Sequence, residues 1–442
     1  ELKQRIADGD FSKKEQKQVL LDAEGKKIAL DLNEVKKKFM HDLFMHNQRS
    51  KSKATRIKNE ILHILNTSRA IITSFDLSAA GRQGMLLAFA HPSLALRAGG
   101  KMLRAVVSKA NYQSYWSDIQ KRPNAELYRT AKLFLVDPNE YSLSKMEEAY
   151  MSRYAEYVPG VGASQRAYTT YLNEIRADAF DMMVKNMGLV NTTQARAIAN
   201  YINISTGRGN LAGASGAAIS LNAAFFSPRL VVSRFEYLLG QPMYGGDSAT
   251  RKAIAKEYAK TAIGAFAAVA LYKTAKNLLG DKDDDDDEFL DPRSSSFLKM
   301  RIGEHTHVDM FAGLIQAMVL MSRIASGEKT TINGKVIPIR GDVPYGSDRT
   351  WDVFATFMRT KLSPPVSAFW NIASGANVIG EETSAAKEAL GMVAPMTVRD
   401  IYDAIKAEGA STGVAIGILV VLGFGAQTYE DDKKKKAKKS KE

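Results

Sequence analysis

The stretch Tyr201 to Leu239, reading YINISTGRGNLAGASGAAISLNAAFFSPRLVVSRFEYLL, constrains this chain most. It opens with a glycine-rich turn at Thr206-Gly207-Arg208-Gly209-Asn210, crosses a small-residue segment and reaches the aromatic pair Phe225-Phe226. Ser227 then has the character of a helix N-cap, with Pro228 at the first helical position, where its missing N–H costs nothing. Leu230, Arg234, Tyr237 and Leu238 follow at helical spacing, and Gly240 with Pro242 closes the segment.

Glycines let backbone N–H groups approach an anion, so Gly207-Arg208-Gly209 invites reading as a phosphate cradle. No Gly-Lys-Ser/Thr follows, however, and no buried strand with a downstream acidic residue supports a dinucleotide fold. A structural turn between packed helices is therefore expected.

At 442 residues the chain is long enough for a sizeable core divided into two or three units. Beginning at Glu1, it reads as part of something longer. It has no cysteine, which excludes disulfides, thiolate metal sites and Cys nucleophiles together. A net charge of +13 suits DNA or an anionic membrane face, but Lys and Arg are spread widely and charge alone does not choose between them.

Residues 1–70 form a charged, amphipathic helical region. Ile28, Leu32, Val35, Phe39 and Leu43 make one stripe that a partner must cover, and Ile57, Ile61, Ile64 and Leu65 repeat the pattern after the basic run Arg49 to Lys53. That run is expected to be a solvated connection. Residues 71–280 read as a helical core. Asp76 or Ser78 can cap a helix through Met85, Leu86, Leu87 and Phe89, which His91-Pro92 ends or kinks. Ser144 to Glu147 and Asn191 to Gln194 have capping-box patterns, with an amphipathic helix through Tyr168, Leu172, Ile175 and Ala179 between them. Tyr150, Tyr154, Tyr157, Tyr168 and Tyr171 interleave with Arg153, Arg166 and Arg176. That pattern suits stacking on single-stranded nucleic acid, but core packing explains it more simply. Ser248 to Leu279 is a long helix whose uncharged centre is too short to cross a bilayer.

Residues 281–290 form an acidic linker without the spaced ligands and Gly of a calcium loop. Residues 291–400 then carry a hairpin-containing helical module. Phe297 to Ile302 and His305 to Asp309 alternate around Gly303, and Asn333-Gly334 signals a hairpin with a two-residue turn. Met310 to Ala325 reads as a helix between them. His305, His307 and Asp309 share a strand face at a spacing that can bind metal. No other histidine lies nearby in sequence, so a solvent-facing edge strand is expected. Ser347 or Asp348 starts a helix anchored by Trp351, Phe354, Phe357 and Met358 and ended by Ser363-Pro364-Pro365, with a further helix pair over Thr383 to Ala407.

Residues 401–442 comprise an apolar helix and a Lys-rich tail. Gly409 to Tyr429 lacks charge, and as one helix it would extend roughly 30 Å, enough to span a hydrocarbon core. Its apolar centre is Gly413, Ile416, Leu419, Val420, Val421, Leu422 and Phe424. The glycines equally suit close packing against another helix. The fold class expected is mainly α, a multi-helix assembly with a small α+β insertion containing a β-hairpin.

Four strings in order, STGRGNL, LNAAFFSPRLVVSR, DPRSSSFLKMRIG and FMRTKLSPP, resemble the C-terminal helical region of phage large polyvalent proteins, giant internal virion proteins. They hold Gly207, Arg208, Gly209, Asn210, Phe225, Phe226, Pro228, Arg229, Asp291, Pro292 and Arg293, and the resemblance covers roughly Ile71 to Glu381. It implies a structural virion component delivered with the genome into the host periplasm or inner membrane. There it would help form a DNA-translocation conduit as a homo-oligomer or with other virion proteins. DNA contact, non-specific, and contact with the host membrane are the partners that fit. The alternatives are a DNA-binding protector of incoming phage DNA and an attachment region for a separate enzymatic module. No Ser/His/Asp arrangement, catalytic carboxylate pair or nucleotide fingerprint is found, so neither enzymatic activity, nor a cofactor, nor a small-molecule substrate is expected.

Overall fold

The computed structural model describes residues 79–137, 160–211, 224–278, 286–378, 382–393 and 396–428, a few single positions within these ranges excepted, with scattered positions elsewhere. Arg49, Lys51 and Lys53 of the basic run, the stripe Ile57, Ile61, Ile64 and Leu65, Asp76, Ser78, the Ser144 to Glu147 pattern, Tyr150 to Tyr157, Asn333 and the Lys-rich tail lie outside the described residues.

Helices α1 (Met85–Ala90), α2 (Pro92–Val107), α3 (Lys109–Gln120), α4 (Ala125–Thr130), α5 (Val161–Met187), α6 (Thr192–Ser205), α7 (Pro228–Leu238) and α8 (Ser248–Leu278) build the first part of the chain. Pro92 opens α2 after His91 leaves helical geometry, as the dipeptide requires. The capping box before α6 forms in full: Gln194 N–H donates to Asn191 Oδ1 and Asn191 N–H to Gln194 Oε1, each at 2.9 Å. Pro228 starts α7, although Ser227 makes no side-chain cap.

The centre is α5. It is buried on every side, not along one stripe as the sequence pattern suggests, and α2, α3 and α6 pack around it. Leu172, Ile175 and Phe180 are fully enclosed, so the apolar part of this helix forms much of the core. Polar residues of α5 and α6 bond to a neighbouring segment. Asn173 donates to Val136 O (2.8 Å) and accepts from Val136 N–H (2.9 Å), while Asn203 Oδ1 accepts from Phe134 N–H (2.9 Å). These bonds clamp the extended segment 133–137, which among the described residues has no strand paired to it. Arg176, fully buried, donates to Thr206 Oγ1 (2.8 Å), Thr206 O (3.1 Å) and Phe134 O (3.3 Å).

One face of α5 carries Glu174, Asp178 and Asp181 at helical spacing. Arg122 reaches all three, at 2.8, 2.8 and 3.1 Å, and Lys101 Nζ sits 2.8 Å from Glu174. Tyr128 O–H donates to Asp181 at 2.6 Å. Burial raises the Glu174 carboxyl above its ordinary value, with Lys101 and Arg122 pulling the other way.

Beyond α8 follow α9 (Asp286–Leu290), α10 (Leu314–Ser326), α11 (Thr350–Arg359), α12 (Pro364–Ser374), α13 (Ala385–Val393), α14 (Met396–Glu408) and α15 (Ala410–Val421). Strands β1 (Met300–Ile302), β2 (Thr306–Asp309) and β5 (Gly425–Thr428) form an antiparallel sheet in the order β1-β2-β5. A separate hairpin pairs β3 (Glu328–Thr330) with β4 (Val336–Pro338). The mainly α architecture with a small β insertion is as expected.

Several expectations are corrected. The linker 281–290 is not wholly linker: 286–290 is helical, and Phe289 is buried against Tyr272 and beneath Lys273, because one aromatic ring outweighs the acidic run before it. The Asn-Gly hairpin has a wider loop than two residues: Thr331 N–H donates to Lys335 O (2.9 Å) and Gly334 N–H to Thr331 O (3.0 Å), with φ 72° at Gly334. Neither Ser347 nor Asp348 caps α11; Asp352 accepts from Arg349 N–H (2.8 Å), and Asp348 pairs with Lys329. Trp351 is exposed and anchors nothing in the core. Pro364-Pro365 begins α12, the prolines taking first-turn positions that need no N–H.

The boundaries at 280 and 400 are both crossed. Phe89 and Val269 join Phe297, Phe311 and Ile315 in one cluster, and β5 completes the sheet begun by β1 and β2.

The apolar segment from Gly409 is not one long helix. α15 ends at Val421 in a Schellman motif: Phe424 N–H donates to Leu419 O (3.0 Å), Gly423 N–H donates to Val420 O (2.9 Å), and Gly423 has φ 96°. Leu422 O accepts from Gly81 N–H (2.9 Å) and Val421 O from Leu77 N–H (3.1 Å). Ile416 and Val420 are buried with Ala404 of α14, and Gly413 lies against the Ile405 backbone, so close helix packing is what these glycines serve. Among the described residues no helix is long and apolar enough to cross a membrane.

Candidate functional site

The four strings that carry the resemblance lie at junctions between elements. After α6, Arg208 N–H donates to Asn203 O (2.8 Å) and Gly207 N–H to Ile204 O (3.1 Å), a second Schellman motif with Gly207 at φ 83°. Gly209 lies so close to α7 that a Cβ there would fall 2.4 Å from Ser233 N and 2.7 Å from Arg229 O. Its N–H donates to Arg229 O (3.2 Å), and Arg229 returns a bond to Gly209 O (3.3 Å). Arg208 stacks over Phe134 at 3.7 Å, and Asn210 N–H donates to Glu236 (3.1 Å). This turn is a helix-packing device, as expected.

Phe225 bridges Leu362: Phe226 N–H donates to Lys361 O (2.9 Å) and Ser363 N–H to Ala224 O (2.8 Å). The strings around Phe225 and Leu362 are thus two halves of one joint. Pro228 is buried at the start of α7. Asp291 accepts from Arg293 N–H (2.9 Å), Arg293 Nε (3.0 Å) and Thr330 O–H, while Arg293 O accepts from Arg323 (2.7 Å). Asp291-Pro292-Arg293 therefore ties the segment after α9 to β3 and α10. Beside it, Glu288, Leu290, Asp291, Arg293, Thr330, Gly334 and Val336 line an open hollow of about 500 Å³.

Burial opposes ionisation of Asp291, but the Arg293 and Thr330 hydrogen bonds outweigh it and hold the carboxyl down to about 2, below its ordinary 3.8. A depressed carboxyl contributes stability that is present above the unfolded value and lost as pH falls through the folded one. Asp291→Asn should therefore cost about 1–3 kcal/mol at pH 7, and the gap to wild type should close between pH 4 and pH 2. Urea midpoints across that range check this; an unchanged gap at pH 2 would contradict it.

The β1-β2-β5 sheet has two unlike faces. Cross-strand partners share a face and alternate residues swap it. Ile302 and Ala426 turn to the α14–α15 pair, and the register puts Arg301, His307 and Gln427 together on the other side. Asp309 lies two residues from His307, and Lys299 two before Arg301, so both join that polar face. Lys299 Nζ donates across the sheet to Gln427 Oε1 at 2.6 Å. Lys361 arrives from the end of α11, its Nζ bonded to Gln316 Oε1 and lying 5.0 Å from the centre of the Phe357 ring. Arg234 is buried nearby, donating to Arg82 O at 2.6 Å.

This polar face is not a solvent-facing edge: β2 is the central strand, and Lys299 and Asp309 are each only 8% exposed. Asp309 Oδ1 accepts from Phe311 N–H (2.8 Å), which shapes the entry to α10. Among the described residues no group of three or more His, Asp or Glu is placed to hold a metal ion. Burial pushes Asp309 up and Lys299 down. Burial lowers Lys361 to about 8, the charge of Lys299 adding and that of Asp309 opposing. Arg234 is lowered to about 10 by burial.

Lys299, Arg234 and Lys361 all lie within the quoted strings, yet nothing in the sequence singles them out. Alternation of Lys299 with Arg301 and of His307 with Asp309 was the available signal. The basic and aromatic residues of α5 go to the core: Tyr168 and Tyr171 are buried, and Arg166 donates to Ala105 O (3.0 Å) and Val106 O (2.6 Å). Comparison with family models, curated proteins and solved structures finds no match to this chain.

Proposed function

We propose that this chain is a structural part of a phage internal virion protein, delivered with the genome and assembling with its own copies or with other virion proteins at the host envelope. One observation carries the reading furthest: large apolar side chains stand uncovered in helical rows. Ile28, Leu32, Val35, Phe39 and Leu43 are all exposed, as are Val398 and Tyr402 of α14 and Val414 and Ile418 of α15. A chain that works alone gains nothing from such rows, and they fit surfaces that meet another chain or a lipid boundary. The resemblance of the strings to large polyvalent proteins supports the virion context, and their use as internal joints fits a scaffold.

Quantitative mass spectrometry of full and emptied particles tests the proposal, with the chain expected to be depleted together with the DNA. Equal amounts in both would defeat ejection and favour a fixed structural role. Tight, steeply salt-dependent binding of the purified chain to duplex DNA would put protection of incoming DNA first.

A further inference from the structure

We propose that Lys299 and Lys361 together form a binding site for a phosphate-class oxyanion on the polar face of the β1-β2-β5 sheet, where the strings around Phe225, Lys299 and Leu362 meet. The inference is independent of the virion reading.

Its basis is an imbalance of donors and charge. An ammonium has three N–H donors and no acceptor. Lys299 gives one to Gln427 Oε1 and Lys361 gives one to Gln316 Oε1. Among the described residues no acceptor takes the other two of either group, and neither ammonium stands within ion-pair distance of a carboxylate. Asp309, the acid whose charge both lysines feel, turns Oδ1 to the Phe311 amide. Arg234 adds a further buried positive charge close to the same carboxylate.

Buried charge is tolerated when it is paired, and here the positive groups outnumber the negative one. An oxyanion with several acceptor atoms would meet the remaining lysine donors and reverse the excess. A phosphate oxygen set suits two ammoniums approaching from different elements, because each is a point charge with rotatable donors. The two amide oxygens of Gln316 and Gln427 hold the ammoniums in place without cancelling their charge. The shared chemistry is the phosphate group, whether free or at the end of a nucleic-acid strand.

Isothermal titration calorimetry in phosphate-free buffer tests the site, with inorganic phosphate and a 5′-phosphorylated oligonucleotide as probes. The wild-type chain should bind inorganic phosphate saturably, Lys361→Met and Lys299→Met should each weaken it at least about tenfold, and Lys252→Met, an exposed lysine of α8, should leave it unchanged. Circular dichroism identifies a variant that fails to fold, and Lys361→Gln then replaces Lys361→Met. Binding of the phosphorylated oligonucleotide, but not of the same strand without its 5′-phosphate, would assign a nucleic-acid end as the source. Binding of inorganic phosphate alone would assign the free ion. Absence of saturable binding by either probe, or equal affinity in wild type and both lysine variants, would overturn the proposal and leave water as the solvator of the two ammoniums.

Discussion

Arg122→Met should lower the stability of the fold by about 3–5 kcal/mol, the cost of removing one partner from a buried ion cluster. The guanidinium bonds Glu174, Asp178 and Asp181 at once, and Glu174 is 1% exposed. Without it three carboxylates remain on one face of α5. Only Lys101 then compensates from a partly covered position, since Arg97, paired with Asp178 at 3.3 Å, is mostly exposed and screened by water. Arg122→Lys should lose less but not recover fully, because an ammonium cannot reproduce the fork that spans three acids. Chemical denaturation followed by circular dichroism measures both. A loss under about 1 kcal/mol for Arg122→Met would show that water already reaches the cluster.

Gly413→Val should cost about 1–3 kcal/mol by overpacking and should detach the C-terminal strand. A Cβ at this position would lie 2.5 Å from Ile405 Cα and 2.8 Å from Ile405 N, which are backbone atoms of α14 with no rotamer to yield. Forcing α14 and α15 apart moves Ile416 and Val420 off Ala404, and β5 follows α15 after only Leu422, Gly423 and Phe424. Hydrogen exchange at residues 425–428 should therefore accelerate more than exchange in α5. Gly417→Ala is the comparison: its Cβ would meet only the flexible Ile401 side chain, at 3.2 Å and beyond, and the cost should be smaller. Equal protection of β5 in wild type and Gly413→Val would separate the strand from the helix pair.

Where a signal spans one helical turn or one chain reversal, the sequence was readable. The capping box at Asn191 and Gln194, the helix end at His91-Pro92, the proline start of α7, the Gly207 turn and the long α8 all depend on residues within about four positions of one another. Alternation located β1 and β2 for the same reason. Two local readings failed through a distant partner: the acidic run ended as a helix because Phe289 found Tyr272, and the apolar segment from Gly409 divided because Gly423 closed α15 and left β5 to the sheet.

The candidate site was legible only in part. Lys299 and Asp309 lie on stretches whose alternation is visible, but Lys361 sits 52 positions past Asp309 at the end of a helix. No pattern in either segment says that their charges come within reach of one another.

By itself the sequence determined the mainly helical class, the starts of α6 and α7, the β3–β4 hairpin, and the absence of thiol chemistry. These follow from backbone sterics and nearest-neighbour hydrogen bonding, which short segments carry with them. Only the tertiary structure decided that α5, not the glycine-rich stretch, is the centre of the core. It alone placed Arg122 opposite three carboxylates, made β2 a central strand by bringing β5 to it, and gathered Lys299, Lys361 and Arg234 around one acid. Burial and charge pairing depend on which distant surfaces exclude water together, and that is a property of the packed chain, not of any one segment.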